Sequence, residues 1–259
     1  MLLVTGVDLF AFCCLFFIAS YLFYIIYYAV GLYELNPFKR PKPVIGKERL
    51  LLEQHIPFIK ELPVYEQEKF FKRVAWFVAK KHFIFHGKFI DKHELKLLIG
   101  GAGVLLTLGM RNHKYIRSIH KIIVYPSNYY STINKKHHVG EYNAGLKLLV
   151  FASDRLKKGF EIEGDNLNLA IHEFGHALYF ETSGRTSWEA LRFQWGFRKL
   201  LQFQKEEIVI KYLRDYAATN PFEFFSVLLE HFFETPRELN RELPSVYEVL
   251  VKMLNTNYG

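Results

Sequence analysis

Between Leu9 and Tyr33 the chain carries no charged residue. Such a run is stable in lipid as a helix, because backbone polar groups there find partners only within their own segment. At roughly 1.5 Å per residue it makes a helix of about 37 Å, enough to cross a hydrocarbon core of about 30 Å with some tilt. Tyr27, Tyr28 and Tyr33 fall near its end, where an aromatic belt sits. The competing reading is a cleaved signal peptide, but no Lys or Arg precedes the run and its length exceeds a signal's apolar stretch. Only Asp8 stands before the run, whereas Lys39, Arg40, Lys42, Lys47 and Arg49 stand after it. The positive-inside rule therefore places the C-terminal side of the run in the cytoplasm, and the same basic residues suit anionic lipid. We expect residues 1–34 to be a single-pass anchor in the cell membrane and residues 35–48 a basic linker stiffened by Pro37, Pro41 and Pro43. Residues 49–259 would then form one cytoplasmic domain.

The composition of the chain as a whole rules out a disordered or fibrous protein, since half of the sequence is hydrophobic (50%). The net charge of +8 alone does not argue for nucleic acid, because no basic helix with base-reading aromatics accompanies it. Both cysteines, Cys13 and Cys14, lie in the apolar run and read as small fillers there. Disulfides, Cys-ligated zinc and a thiol nucleophile are thus excluded from the domain. The absence of a Gly-x-Ser-x-Gly elbow argues against a serine hydrolase.

Apolar spacing predicts a helix over Val64–Phe83, with Phe70, Phe71, Val74, Phe77 and Val78 on one side. Asp91 is a candidate cap for a second helix toward Leu108, interrupted by Gly100, Gly101 and Gly103, which read as close-packing positions. Ile119–Tyr125 and Lys147–Ser153 read as strands. Lys135, Lys136, His137 and His138 between them read as a solvated basic loop. The C-terminal half is helical, with breaks near Gly184, at Thr219–Pro221 and at Pro236 and Pro244. The fold class is α+β, mainly helical with a small sheet.

Residues 172–176 read His-Glu-Phe-Gly-His on a predicted helix, with Asp165 as candidate cap. Residues four apart on a helix differ by only about 40° around the axis. His172 and His176 can therefore aim neutral imidazoles at one zinc ion. Glu173 is turned by about 100° from His172, poorly placed to be a ligand but able to serve as general base to an activated water. A third ligand has to come from downstream, where Glu181, Glu189, Glu206, Glu207, Glu223 and Glu230 are the acidic candidates. Glu223 and Glu230 stand out because the stretch Phe222–Phe233 is apolar nearly all round a helix and hence buried, and a buried carboxylate needs a partner. A metal would satisfy one, and a histidine or backbone donor the other. Asn220-Pro221-Phe222-Glu223 also fits a helix start in which Glu223 closes a capping box, so two roles stand open for that residue.

These segments together resemble the Mlc titration factor A family of zinc peptidases. The resemblance rests on Ile171-His-Glu-Phe-Gly-His, on Tyr216-Ala-Ala-Thr-Asn-Pro-Phe-Glu-Phe-Phe and on Glu230-His-Phe-Phe. Val124-Tyr-Pro, Val139-Gly-Glu and Leu149-Val-Phe-Ala-Ser add to it, and the order fits over residues 62–250. It implies a gluzincin-like zincin fold, one zinc ion per chain, Glu223 as third ligand and Tyr216 at the active site, where a phenol stabilises an oxyanion. It further implies aminopeptidase-like activity on peptide or protein substrates, and a regulatory protein partner, since the family's namesake binds a transcriptional repressor. The chain departs from that pattern in its anchor, in Ala177-Leu178-Tyr179 after the second histidine and in the glycine-rich helix at 100–103. Peptidases of this type hold substrate along an edge strand beside the metal helix. Leu149, Val150, Phe151 and Ala152 are the expected edge. The reading from a different class is a membrane-tethered binding module that sequesters a transcriptional regulator, with zinc purely structural.

Overall fold

The structure, a computed structural model, describes residues 6–29, 41–131, 135–213, 217 and 219–256. It divides into two compact units, Met1–Arg40 and Pro41–Gly259. In the first, α1 (Gly6–Ala29) is a single helix in whose stretch Leu9–Tyr27 no residue is buried. It has the length and composition of a membrane span or of a signal sequence.

The second unit is mostly helical with a small sheet. It opens with α2 (Lys47–His55), α3 (Phe58–Glu61) and α4 (Val64–Lys80). Val44 is already buried, and its carbonyl accepts from Arg49 Nε at 2.9 Å. The helix expected over Val64–Phe83 ends at Lys80, and β1 (His82–Phe85) takes over. Phe83 and Phe85 continue the apolar pattern at a spacing of two, which a helical reading absorbs as one more turn. Helix α5 (Lys92–Leu106) runs unbroken through its three glycines, which face side chains of α2 and α4 and the Phe174 ring. Asp91 occupies its N-cap position without a side-chain capping bond and pairs instead with Lys157.

Four strands come next: β2 (Lys121–Tyr125), β3 (Tyr129–Ser131), β4 (Lys136–His138) and β5 (Gly140–Asn143). After them come β6 (Leu148–Ala152) and α6 (Ser153–Glu161). The basic segment expected to be a loop pairs as β4 against β3, with Tyr130 opposite His137. The main sheet has the order β1-β2-β6-β5, with β1, β2 and β6 parallel and β5 antiparallel to β6. Leu149, Val150, Phe151 and Ala152 therefore cannot be the edge expected for them. They lie in β6, bonded to β2 on one side and β5 on the other, and all four are buried. A run of consecutive buried residues is what an interior strand covered on both faces requires.

The C-terminal helices are α7 (Leu169–Thr182), α8 (Trp188–Phe203), α9 (Glu207–Tyr212), α10 (Pro221–Glu234), α11 (Pro236–Glu242) and α12 (Pro244–Leu254). Pro221, Pro236 and Pro244 each occupy the first turn, where a missing N–H costs nothing. At the centre of the core the Phe174 ring of α7 meets Phe77, Tyr115 and Phe151 at centroid distances of 5.8, 5.3 and 6.3 Å. Such pairs contribute about 0.5–1.5 kcal/mol each beyond burial. They hold α7 against α4, the segment that carries Tyr115, and the sheet.

Candidate metal centre

Helix α7 starts one turn before its first histidine. Asn168 is its cap, with Oδ1 accepting from Ile171 N at 3.1 Å. Asp165, the expected cap, bonds Leu167 N at 2.9 Å in the preceding turn. His172 and His176 lie one turn apart, their rings 5.0 Å from centroid to centroid. Helix α10 starts at Asn220, whose Oδ1 accepts from Phe222 N and Glu223 N at 2.9 and 3.1 Å. That cap puts Glu223 in the first turn of α10. Close approach of α10 to α7 depends on Gly175, since a Cβ there would lie 2.7 Å from Ser226 Oγ and 3.3 Å from Ser226 Cα. Ser226 Oγ donates to the His172 carbonyl at 2.9 Å across the same contact.

The crossing brings the two histidines and Glu223 together. Glu223 Oε2 is 2.8 Å from His172 Nε2, and Oε1 is 3.4 Å from His176 Nε2. Among the described residues these three side chains form a group whose ligand atoms all lie within 4.8 Å of one another. Glu230, two turns further along α10 and 2% exposed, closes the arrangement from behind. Its Oε1 lies 2.7 Å from His172 Nδ1, and its Oε2 accepts from Asn168 N at 2.9 Å. Glu223, half-buried at the start of α10, thus meets the histidine pair, and the buried Glu230 a histidine and a backbone donor together.

Burial would depress the basicity of His172, but its hydrogen bonds to Glu223 and Glu230 outweigh it and hold the imidazole proton up to about 10. Burial, with His172 nearby, lowers His176 to about 4. Glu173 is 6% exposed and is pushed up to about 7, chiefly by burial. It lies against β5, the edge strand next to β6. A Cβ at Gly140 would come within 2.7 Å of Glu173 Oε1, and the Tyr142 N–H nearby favours the charged form of the same carboxylate. Glu141 acts on it electrostatically and accepts from the Tyr129 hydroxyl at 3.4 Å. Sequence reasoning assigns no role to Tyr129 or Glu141. The one signal near them is Val139-Gly-Glu, a short part of the family resemblance.

The other acidic candidates have separate duties. Glu181, fully buried, accepts from Arg117 N and Ser118 N at 2.9 Å each and pairs with Arg185 at 2.5 Å. Glu189 takes Arg111 N and Asn112 N at 2.7 and 3.0 Å. Glu206 stands at the N-cap of α9, and Glu207 pairs with Lys211 on the surface. Tyr216 lies outside the described residues.

The donor set fits a metal ion. Two imidazole nitrogens and one carboxylate oxygen, with a fourth position left for water, are the ligands of hydrolytic zinc sites. Glu230 orients His172 with Nδ1–H toward the carboxylate and Nε2 toward Glu223, the outer partner that metal-bound histidines require. The proton shared by His172 and Glu223 is the one that a divalent cation displaces.

A helix bearing two histidines one turn apart, crossed by a second helix bearing a glutamate, defines a metallopeptidase-like site on a mostly helical fold. The chain belongs to the family described as glucose-regulated metallo-peptidase M90, which matches it over residues 38–254. It is 27% identical over 242 residues to an uncharacterized protein of Synechocystis sp., covering 85% of this chain and 86% of that one. It is 24% identical over 218 residues to Mlc titration factor A of Yersinia pestis and of Yersinia pseudotuberculosis, covering 75% of this chain and 79% of theirs.

Proposed function

We propose that the chain is a zinc-dependent, aminopeptidase-like peptidase of gluzincin type, held at the cell membrane by α1 with its catalytic domain in the cytoplasm. The supporting observation is the convergence of His172, His176 and Glu223, with Glu230 behind one histidine and Glu173 beside the edge strand. Residues 1–34 are the anchor, residues 35–48 the linker, whose end from Pro41 on belongs to the compact unit, and residues 49–259 the catalytic domain. His172, His176 and Glu223 hold one zinc ion. Zinc bound there supplies Lewis-acid polarisation and an acidified water. Glu173, desolvated against Gly140, accepts the proton that water gives up and returns it to the leaving amine, a task suited to a carboxylate whose proton affinity sits near neutrality. The family resemblance assigns Tyr216 the stabilisation of the developing oxyanion. The outer edge of β5, in place of β6, pairs with the peptide substrate.

The test measures zinc per chain and peptide hydrolysis on the whole detergent-solubilised protein. About one zinc per chain, sharply reduced by Glu223→Ala, supports the ligand set. Full zinc in both forms removes Glu223 from it. Glu173→Gln should retain zinc and lose turnover. The name of the Yersinia relatives supports a second reading, a tethered module that sequesters a regulator. It predicts instead that Glu173→Gln leaves function in cells intact.

A further inference from the structure

Helix α8 is apolar on both sides. Its inner side packs Ala190, Phe193, Phe197 and Leu200 into the core. Its outer side carries Trp188, Leu191 and Trp195, which are 81, 46 and 77% exposed. At about 100° per residue these three share an arc of about 100° with Arg198 and Lys199, both exposed. Folding does not need this face. An exposed tryptophan costs solubility, and two of the three tryptophans in the chain stand here.

We infer that this face of α8 docks on an anionic bilayer surface. Tryptophan is the side chain best suited to the headgroup boundary, with a large apolar ring and an N–H that reaches polar partners. An apolar stripe running into basic residues is the pattern of helices that lie in the interface plane, bound by buried apolar area and by attraction to anionic lipid. Arg198 and Lys199 complement that charge, and the chain as a whole is at +8. The inference rests on the reading of α1 as an anchor, which keeps a bilayer within reach. The metal centre has no part in it.

The test uses the full chain carrying Trp76→Phe, so that Trp188 and Trp195 alone report. The protein is placed in nanodiscs of phosphatidylcholine and phosphatidylglycerol, with or without bromine on the acyl chains. Docking is expected to quench tryptophan emission in the brominated discs. Arg198→Gln with Lys199→Gln should lower the docked-to-undocked ratio about thirty-fold, and high salt should act in the same direction. Emission indifferent to bromine overturns the inference. So do two chains per disc with unquenched emission, which would mean that a second copy covers the stripe. Equal quenching in purely neutral discs overturns the choice of an anionic surface. If the chain is recovered outside the discs, the anchor reading has failed. Brominated anionic vesicles added to that free chain then decide the face alone, quenching upholding it and its absence overturning it.

Discussion

Replacing Glu230 by Gln tests the logic of the metal centre with a change of one atom. The carboxylate now accepts twice, from Asn168 N at 2.9 Å and from His172 Nδ1–H at 2.7 Å. An amide has one acceptor and one donor group. If its oxygen keeps Asn168, its NH₂ faces Nδ1, which must then accept. The neutral ring then keeps its one proton on Nε2, the atom turned toward Glu223, and in that tautomer the nitrogen cannot ligate. If the amide turns over, its NH₂ meets the buried Asn168 N–H, and a donor left unsatisfied costs about 1–3 kcal/mol. Loss of an outer partner of this kind weakens metal binding about 10–100-fold, equivalent to about 1.4–2.8 kcal/mol. We expect Glu230→Gln to lower zinc affinity within that range in a chelator competition, with the metal-free protein destabilised by no more than about 1–3 kcal/mol. Zinc affinity equal to that of the unaltered chain would refute the argument that Glu230 sets the tautomer.

Four further outcomes are expected. Gly175→Ala should destabilise the fold by about 1–2 kcal/mol in urea melts, overpacking against the Ser226 backbone exceeding the gain in helix propensity, and should weaken zinc binding as α10 shifts. Glu181→Ala should cost about 3–5 kcal/mol, because it leaves the Ser118 N–H buried and the Arg117 N–H part-buried without their acceptor and removes the carboxylate partner of Arg185, and a loss below about 1 kcal/mol would contradict that assignment. His113 is lowered to about 4, chiefly by burial and by nearby Arg73, whereas in the unfolded chain it takes up its proton near 6.5. Between those values the unfolded state holds more protons, so stability falls as pH drops through the window, and His113→Gln should flatten that part of the profile. Glu141→Gln should alter peptide hydrolysis through its field on Glu173 while leaving zinc content unchanged, as read by metal analysis beside kinetics.

The parts of this molecule visible in its sequence are those encoded locally. The pair His172 and His176 is legible because helical pitch alone puts both on one face. Asn220 and Pro221 announce the start of α10 for the same reason. The pairing of Glu223 with the histidines depends on how two helices cross. That crossing is set by Gly175 and Ser226, and no spacing rule contains it. Residue pattern leaves Glu223 between a cap and a ligand, and only the likeness of a longer motif chooses. Strand order is the most opaque feature. Leu148–Ala152 is plainly a strand, but nothing within it says whether β5 comes to lie beside it. Gly140–Asn143 is short and half-buried throughout, so neither alternation nor an apolar run marks it. Phe83 and Phe85 mislead because a helical pattern and a strand pattern share residues where one gives way to the other.

Asn168, Glu230 and His172 have a joint consequence. The carboxylate that grips the backbone where α7 begins also grips the imidazole one turn later. Sliding the helix by one residue would turn every side chain by about 100°, losing both grips in one step. Errors at this end of the helix are therefore discrete. The site is either assembled in register or unmistakably broken, and a half-formed centre that captures metal in the wrong geometry has little structural basis on which to persist.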